Sequence, residues 1–326
     1  MTAWPDDLPR FALLDGPSPF APLPRFSAAL GDRATIWIKR EDLLPIGLGG
    51  NKLRNLEFLI GAALADGADT LVTSGRRWSN HARLTAAAGA RAGLAVHLVL
   101  SGPPATPPNP GVRLDERFGA VVHEAATDAR AEREALVASV VESLRADGAR
   151  PYVVGVGGSG SLGATGQVLA GRELFAQAAA ARVRIDRIVL PSATGGTQAG
   201  LLVAAASQAP FRAAITGVLV ARTETELRPA IETTVAELAV LAGVAVERDA
   251  LELDGSQLGD GYGRPTPAAD DATTLLARTE GLLVDPIYTA KALAALVASV
   301  RSGAWDGETV VFWHAGGLPG LFEPLD

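Results

Sequence analysis

Hydrophobic and polar positions follow two rhythms along this chain. Residues 35–39, 70–74, 95–100, 120–124, 152–156, 187–191, 215–221 and 309–313 form short, mostly apolar runs, which predict strands. Residues 53–64 carry apolar side chains at Leu53, Leu56, Leu59 and Ile60, which is helical spacing. Helices are predicted in the same way at 80–91, 128–146, 162–181, 197–207, 224–242, 268–279 and 289–300. Strands alternating with helices imply an α/β fold of mostly parallel sheet with helices on both faces. Continuously apolar strands such as Ile188-Val189-Leu190 suit a sheet covered on both sides. The first 32 residues are rich in proline and read as a surface wrap, and 101–111 reads as a loop with five prolines.

Composition narrows the function class more than the fold. At 326 residues the chain can bury a large core and form two lobes. Its net charge of −7, with no arginine-rich run, argues against a nucleic-acid partner. There are no cysteines, so disulfides, thiolate metal sites and a cysteine nucleophile are excluded. The four histidines lack zinc-site spacing, so no metal is expected. Residues 1–9 include Asp6 and Asp7 and lack an apolar core, and no run reaches the roughly 18 apolar residues of a membrane span. A soluble cytoplasmic protein is expected.

Three stretches carry candidate chemistry. In Gly47-Leu48-Gly49-Gly50-Asn51-Lys52, three glycines precede a lysine that opens a helix. The helix dipole and any burial would lower that lysine's pKa and make it nucleophilic, although an ordinary turn with a solvated lysine has the same sequence. Ala193, Thr194, Gly195, Gly196 and Thr197 lie between a strand and a helix, where N–H groups and hydroxyls can cradle a phosphate. The run from Gly155 to Gly160 competes for that role. Ser79, Asn80 and His81 stand at a helix start, where Ser79 or Asn80 serves as the cap, as an anion site, or as both. Tyr262 and Tyr288 are two of three tyrosines, and each lies beside glycine or proline rather than on an apolar stripe.

Taken together with Ile36–Asp42 and Asp285-Pro286-Ile287-Tyr288, these motifs resemble the 1-aminocyclopropane-1-carboxylate deaminase and D-cysteine desulfhydrase family. That family uses pyridoxal 5′-phosphate and has the tryptophan-synthase-β-like fold (type II). The resemblance runs from about Pro9 to Phe322. It implies two lobes, a larger one from 1–48 and 161–326 and a smaller one from 49–160, with the cofactor in the cleft between them. It also implies a homodimer acting on a small amino acid. Lys52 would be the Schiff-base lysine. Ser79, Tyr262 and Tyr288 would be catalytic, Asn80 would face the cofactor's phenolic oxygen, and Trp78, Ser79, Asn80, His81 and Tyr288 would meet substrate. The glycines from Gly155 to Gly160 would form a hinge or linker at the lobe junction.

The departures from the family pattern are instructive. Thr289 stands where the deaminases carry glutamate, and Ala315 stands where desulfhydrases carry threonine, so Thr289 would be the side-chain partner of the pyridine nitrogen. Asn55 replaces a lysine near the phosphate, and Trp78 replaces a glutamine. A lyase giving a 2-oxo acid and ammonia, nearest to D-cysteine desulfhydrase, is the leading expectation. The alternatives are the ring-opening deaminase, a racemase or β-replacement enzyme, and a catalytically inert protein that binds the cofactor.

Overall fold

The structure is a computed structural model that describes residues 4–102, 108–208, 213–247 and 250–324. Residues 103–107 of the expected proline loop and the start of the expected surface wrap lie outside the described residues. In chain order the elements are β1 (Phe20–Pro22), α1 (Pro24–Ala29), β2 (Thr35–Arg40), α2 (Lys52–Ala65), β3 (Thr70–Arg76), α3 (Asn80–Ala92), β4 (Ala95–Ser101) and α4 (Pro110–Arg117). There follow β5 (Val121–Glu124), α5 (Arg130–Ala146), β6 (Pro151–Val153), α6 (Ser161–Ala180), β7 (Arg187–Ser192) and α7 (Gly196–Ala206). The rest are β8 (Ala214–Leu219), α8 (Glu224–Ala242), β9 (Leu251–Asp254), α9 (Pro267–Glu280), α10 (Thr289–Ser302) and β10 (Thr309–His314).

The strands form two sheets. One has six strands in the order β1-β2-β10-β7-β8-β9, and the other has four in the order β5-β4-β3-β6. Every pairing is parallel except the β1–β2 edge. The larger sheet is covered by α1, α9 and α10 on one face, where Phe26, Leu276 and Leu293 pack, and by α6, α7 and α8 on the other, where Phe175, Leu201 and Leu238 pack. Burial on both faces explains why β7 and β10 are mostly apolar. The smaller sheet is covered by α2 and α3 through Leu56, Ile60 and Leu84, and by α5 through Val140 and Val141. Leu13, from the N-terminal wrap, joins the cluster under the smaller sheet.

Four elements had no clear sequence pattern. β1 and β9 are short edge strands whose identity comes from pairing with β2 and β8. Pro24 and Pro110 each open a helix, α1 and α4, because a fixed φ and a missing N–H cost nothing at the first helical position. The strand expected at 152–156 ends at Val153, and Val156–Gly158 forms a single tight turn instead.

Candidate active site

The carboxyl ends of strands from both sheets face one cavity of about 320 Å³. β3 supplies Arg76 and the turn after it, β7 leads to 193–195, β8 leads to Arg222, and β10 leads to Ala315 and Gly316. This crevice is where parallel sheets generally bind ligands.

Lys52 is the first residue of α2 and lies on the cavity wall. The loop before it closes only because of glycine. A Cβ on Gly49, whose φ is +72°, would lie 1.9 Å from the Asp42 carbonyl oxygen. Gly50 N–H donates to Glu41 O at 2.9 Å and Asn51 N–H to Ala315 O at 2.9 Å, which clamps the helix start between the ends of β2 and β10. Among the described residues, no hydrogen bond or ion pair reaches the Lys52 amine. The other two lysines are fully engaged. Lys39 donates to Ser18 O, Glu173 and Gln177, and Lys291 donates to Leu258 O and Gly261 O. Burial lowers the Lys52 pKa to about 8. The folded value lies below that of a free lysine, so the amine is protonated and unreactive below pH 8 and becomes a nucleophile above it. Acylation of Lys52 in cofactor-free protein, followed by peptide mass analysis, is therefore expected to show a midpoint near pH 8. A midpoint near ~10, as for a free lysine, would mean a solvated amine.

Ala193, Thr194, Gly195 and Thr197 lie on the wall where α7 begins. Thr194 Oγ1 accepts from the Ser159 hydroxyl at 2.5 Å, and Thr197 Oγ1 accepts from Asn51 Nδ2 at 2.8 Å. Each threonine therefore keeps its own proton to donate, beside the unpaired N–H groups of a helix start. Gly196 stands behind the wall, where a Cβ would lie 3.3 Å from Ser159 Oγ. The second glycine run also reaches the cavity. Val156 and Gly157 line the cavity, and Ser159 orients Thr194. Asn55 braces this turn through Gly158 O at 3.0 Å and accepts from Gln167 at 2.5 Å, so its side chain is committed away from the cavity.

Ser79 caps α3 by accepting from Ala82 N at 3.2 Å, and it also lines the cavity. The Asn80 side-chain oxygen accepts from Arg83 at 3.2 Å, which leaves its NH2 group as the donor for a ligand. Thr73 gives its proton to Val154 O at 2.7 Å, so at 3.0 Å it accepts from His81 Nε2. His81 Nδ1 is then a bare, buried acceptor without a partner. Burial, and after it the Lys52 charge, pull the His81 pKa down to about 3, so the ring stays neutral.

Tyr262 and Tyr288 face each other, with hydroxyls hydrogen-bonded and ring centroids 5.8 Å apart. Burial raises both pKa values, Tyr288 further because Tyr262 is beside it, so both are phenols at neutral pH. One proton holds the pair together and the other remains available to the cavity. Asp285 accepts from the N–H groups of Ile287, Tyr288 and Thr289 and so fixes Tyr288 at the start of α10.

Three expected site residues are absent from the wall. Gly196 is described above. Trp78 packs behind the wall, against Tyr262 at 6.2 Å and over Gly263, where a Cβ would lie 2.8 Å from the indole. The indole thus packs against a tyrosine of the pair. Thr289 is fully buried, and its only proton goes to Asp285 Oδ1 at 2.5 Å. It has none left to donate to a neutral ring nitrogen. Conversely, Arg76, Arg133 and Asn51 line the cavity although the sequence reading passed over them. Arg76 adjoins the Trp78-Ser79-Asn80 turn, a signal that was present. Arg133 sits within a charged helix and carried no signal.

Residues 11–316 match the family model described as pyridoxal-phosphate dependent enzyme. The chain belongs to that family. It is 38% identical over 320 residues to D-cysteine desulfhydrase of Salmonella choleraesuis (strain SC-B67), covering 96% of this chain and 95% of the relative. A solved ACC deaminase homologue superposes with a TM-score of 0.90 at 34% identity, covering 97% of this chain and 94% of that one. The processed form of threonine deaminase isoform 2 from Solanum lycopersicum shares the fold at a TM-score of 0.65 and 19% identity, covering 92% of this chain and 79% of that one.

The cavity suits this family's cofactor. Lys52 presents an unpaired amine of lowered pKa for its aldehyde, and Thr194, Thr197 and the α7 N–H groups present donors for its phosphate. Three carboxylates at or near the site, Asp42, Asp128 and Asp285, are already paired with Arg40, with Arg76 and with the α10 backbone. Among the described residues, no group of histidine and carboxylate side chains could hold a metal ion, and no helix is long and apolar enough to cross a membrane.

Proposed function

We propose that this chain is a pyridoxal-phosphate-dependent lyase that eliminates the β-substituent of a small amino acid and releases a 2-oxo acid and ammonia, in the manner its D-cysteine desulfhydrase relatives are named for. The observation that carries this reading is the pairing of a lone reactive amine, Lys52, with a neutral tyrosine pair in one cavity. When bound, the cofactor supplies an electron sink for the pair left at Cα. Lys52 would hold the cofactor through its aldehyde, and its amine, of lowered pKa, would be the base for the Cα proton. The N–H groups at the start of α3 and the Ser79 hydroxyl receive the substrate carboxylate. The Asn80 amide, with its NH2 group uncommitted, would donate to the cofactor's phenolic oxygen. Tyr262 or Tyr288 hands a proton to the departing β-substituent, and the hydroxyl–hydroxyl bond lets the partner replenish it. Neutral His81 adds no positive charge to compete for the phosphate. Strand ends from both sheets wall these groups in, which restricts water during the reaction.

The chain is organised, in this reading, as a larger lobe from 1–48 and 161–326 and a smaller one from 49–160, and works as a cytoplasmic homodimer. Exposed Leu43, Leu48 and Phe322 border a shared apolar groove that supports the dimer. Sedimentation velocity showing only monomer at micromolar concentration would remove that part. The activity itself is tested by following 2-oxo acid release over both enantiomers of β-substituted alanines. Release from at least one is expected. A holoprotein inert to all of them would leave a cofactor-binding protein without turnover.

A further inference from the structure

One part of the cavity is not used by the steps above. Arg76, at the end of β3, and Arg133, in the first turn of α5, both line it. The Arg76 guanidinium lies 5.7 Å from the Trp78 ring centroid and 5.9 Å from that of Tyr262, one of the two proton donors proposed for the leaving group. Arg133 reaches Ser101 Oγ at 3.1 Å and Asp128 O at 2.7 Å, and its Nε is buried with no partner. Among the described residues, the only carboxylate on the cavity wall is Asp128, which pairs with Arg76. After burial, the repulsion of Arg76 is the next largest effect lowering the Arg133 pKa, so the two cations feel one another. Two guanidinium groups beside one carboxylate, which pairs with Arg76 alone, cost folding energy in a half-buried crevice, and a bound anion offsets that cost.

Charge counting places the anion. The cofactor phosphate, at about −1.5 to −2, has the α7 start, Thr194 and Thr197, with Arg222 beyond the neighbouring end of β8. The α-carboxylate of the substrate has the α3 start and Ser79. The arginines are left facing the leaving-group side of the cavity, next to Tyr262. Guanidinium forks match tetrahedral oxyanions in two-point contacts.

We propose that the substrate is a small acyclic amino acid whose Cβ carries a tetrahedral oxyanion, a sulfonate or a phosphate ester, received by Arg76 and Arg133. This deepens the lyase reading and rests on it. The Cα proton goes to the site base and the Cα–H pair becomes the Cα=Cβ bond. The Cβ–S or Cβ–O bond breaks with its electrons on the leaving group, which departs as sulfite or phosphate. Water then converts the enamine product to the 2-oxo acid and ammonia. The sum is amino acid plus water to 2-oxo acid, ammonia and oxyanion, with no oxidant or reductant.

The test compares both enantiomers of 3-sulfoalanine and O-phosphoserine with cysteine and serine on the holoenzyme, in wild type, Arg76→Gln and Arg133→Gln. At least one anionic substrate is expected to exceed cysteine in kcat/KM by about tenfold or more. Each variant should lower that value by roughly 10- to 100-fold, mainly through KM, and shrink the preference for the anion over cysteine. Whether the sulfonate or the phosphate ester leads tells which oxyanion the site takes. Cysteine outrunning both anionic substrates would overturn the proposal while leaving the lyase reading intact. Equal losses for charged and neutral substrates would assign the arginines to the α-carboxylate, and a parallel fall in cofactor affinity would assign them to the cofactor phosphate; either result overturns it. No 2-oxo acid from any compound would remove the lyase reading and this proposal together.

Discussion

Lys52→Ala purifies as a folded protein that has lost at least about 10³-fold in kcat and no longer retains the cofactor covalently. The expectation rests on geometry that only one lysine meets. Lys39 is buried behind the larger sheet and saturated by Glu173, Gln177 and Ser18 O, while Lys291 spends its protons on the carbonyls of the loop that carries Tyr262. Lys52 alone opens onto the cavity with a free amine. Its loss should not weaken the cofactor-free fold. Burial disfavours the charged amine, so below pH 8 the native state bears a penalty that the unfolded chain does not, and alanine removes it. Borohydride reduction of the wild-type holoenzyme followed by peptide mapping reads the site of attachment. Modification of Lys39 or Lys291, or appreciable turnover by the alanine variant, would defeat the assignment.

Arg54→Met is expected to destabilise the protein by about 3–5 kcal/mol, the largest stability effect at any position near the site. Arg54 is buried one residue beyond Leu53 on α2. Its guanidinium binds Glu41 at 2.6 and 2.8 Å and Glu173 at 2.8 and 2.9 Å. These contacts join the end of β2, the start of α2 and the middle of α6, so they also set the position of Lys52. Methionine fills the space but leaves Glu41, fully buried, without its cation. Urea denaturation midpoints provide the measurement. The double variant Arg54→Met with Glu41→Gln should recover a substantial share of the loss, because the unpaired charge is then gone. A single-variant loss below about 1 kcal/mol would show that water or rearrangement reaches Glu41.

Much of the site could be read from local sequence. Lys52 and the 193–197 turn, which the fold brings to one cavity, were recognisable as candidates because glycine runs and helix starts announce such backbone features. Tyr262 and Tyr288 stood out because an aromatic beside glycine or proline lies on no apolar stripe. The placement of Trp78 off the cavity wall was not legible, for a corresponding reason. A turn residue's direction depends on what it finds across the chain, and here the indole settles over Gly263, 185 positions later by the numbering. For Thr289, one proton cannot serve two acceptors, and only the fold reveals that Asp285 takes it.

By itself the sequence determined the alternation of strands and helices, and hence the parallel α/β class, because periodicities of 2 and 3.6 are imposed by backbone geometry within a few residues. It also singled out Lys52 as the candidate reactive lysine, since the glycines that permit its loop are its neighbours. Tertiary structure alone decided what surrounds that lysine. The pairing of two tyrosines from separate loops, the emptied hydrogen-bond capacity of Thr289 and the meeting of Arg76 with Arg133 join residues 26, 4 and 57 positions apart. Such contacts depend on how α5, α10 and the loop after β9 pack against the sheet ends. That packing is set by burial of whole faces, which no local pattern of side chains encodes.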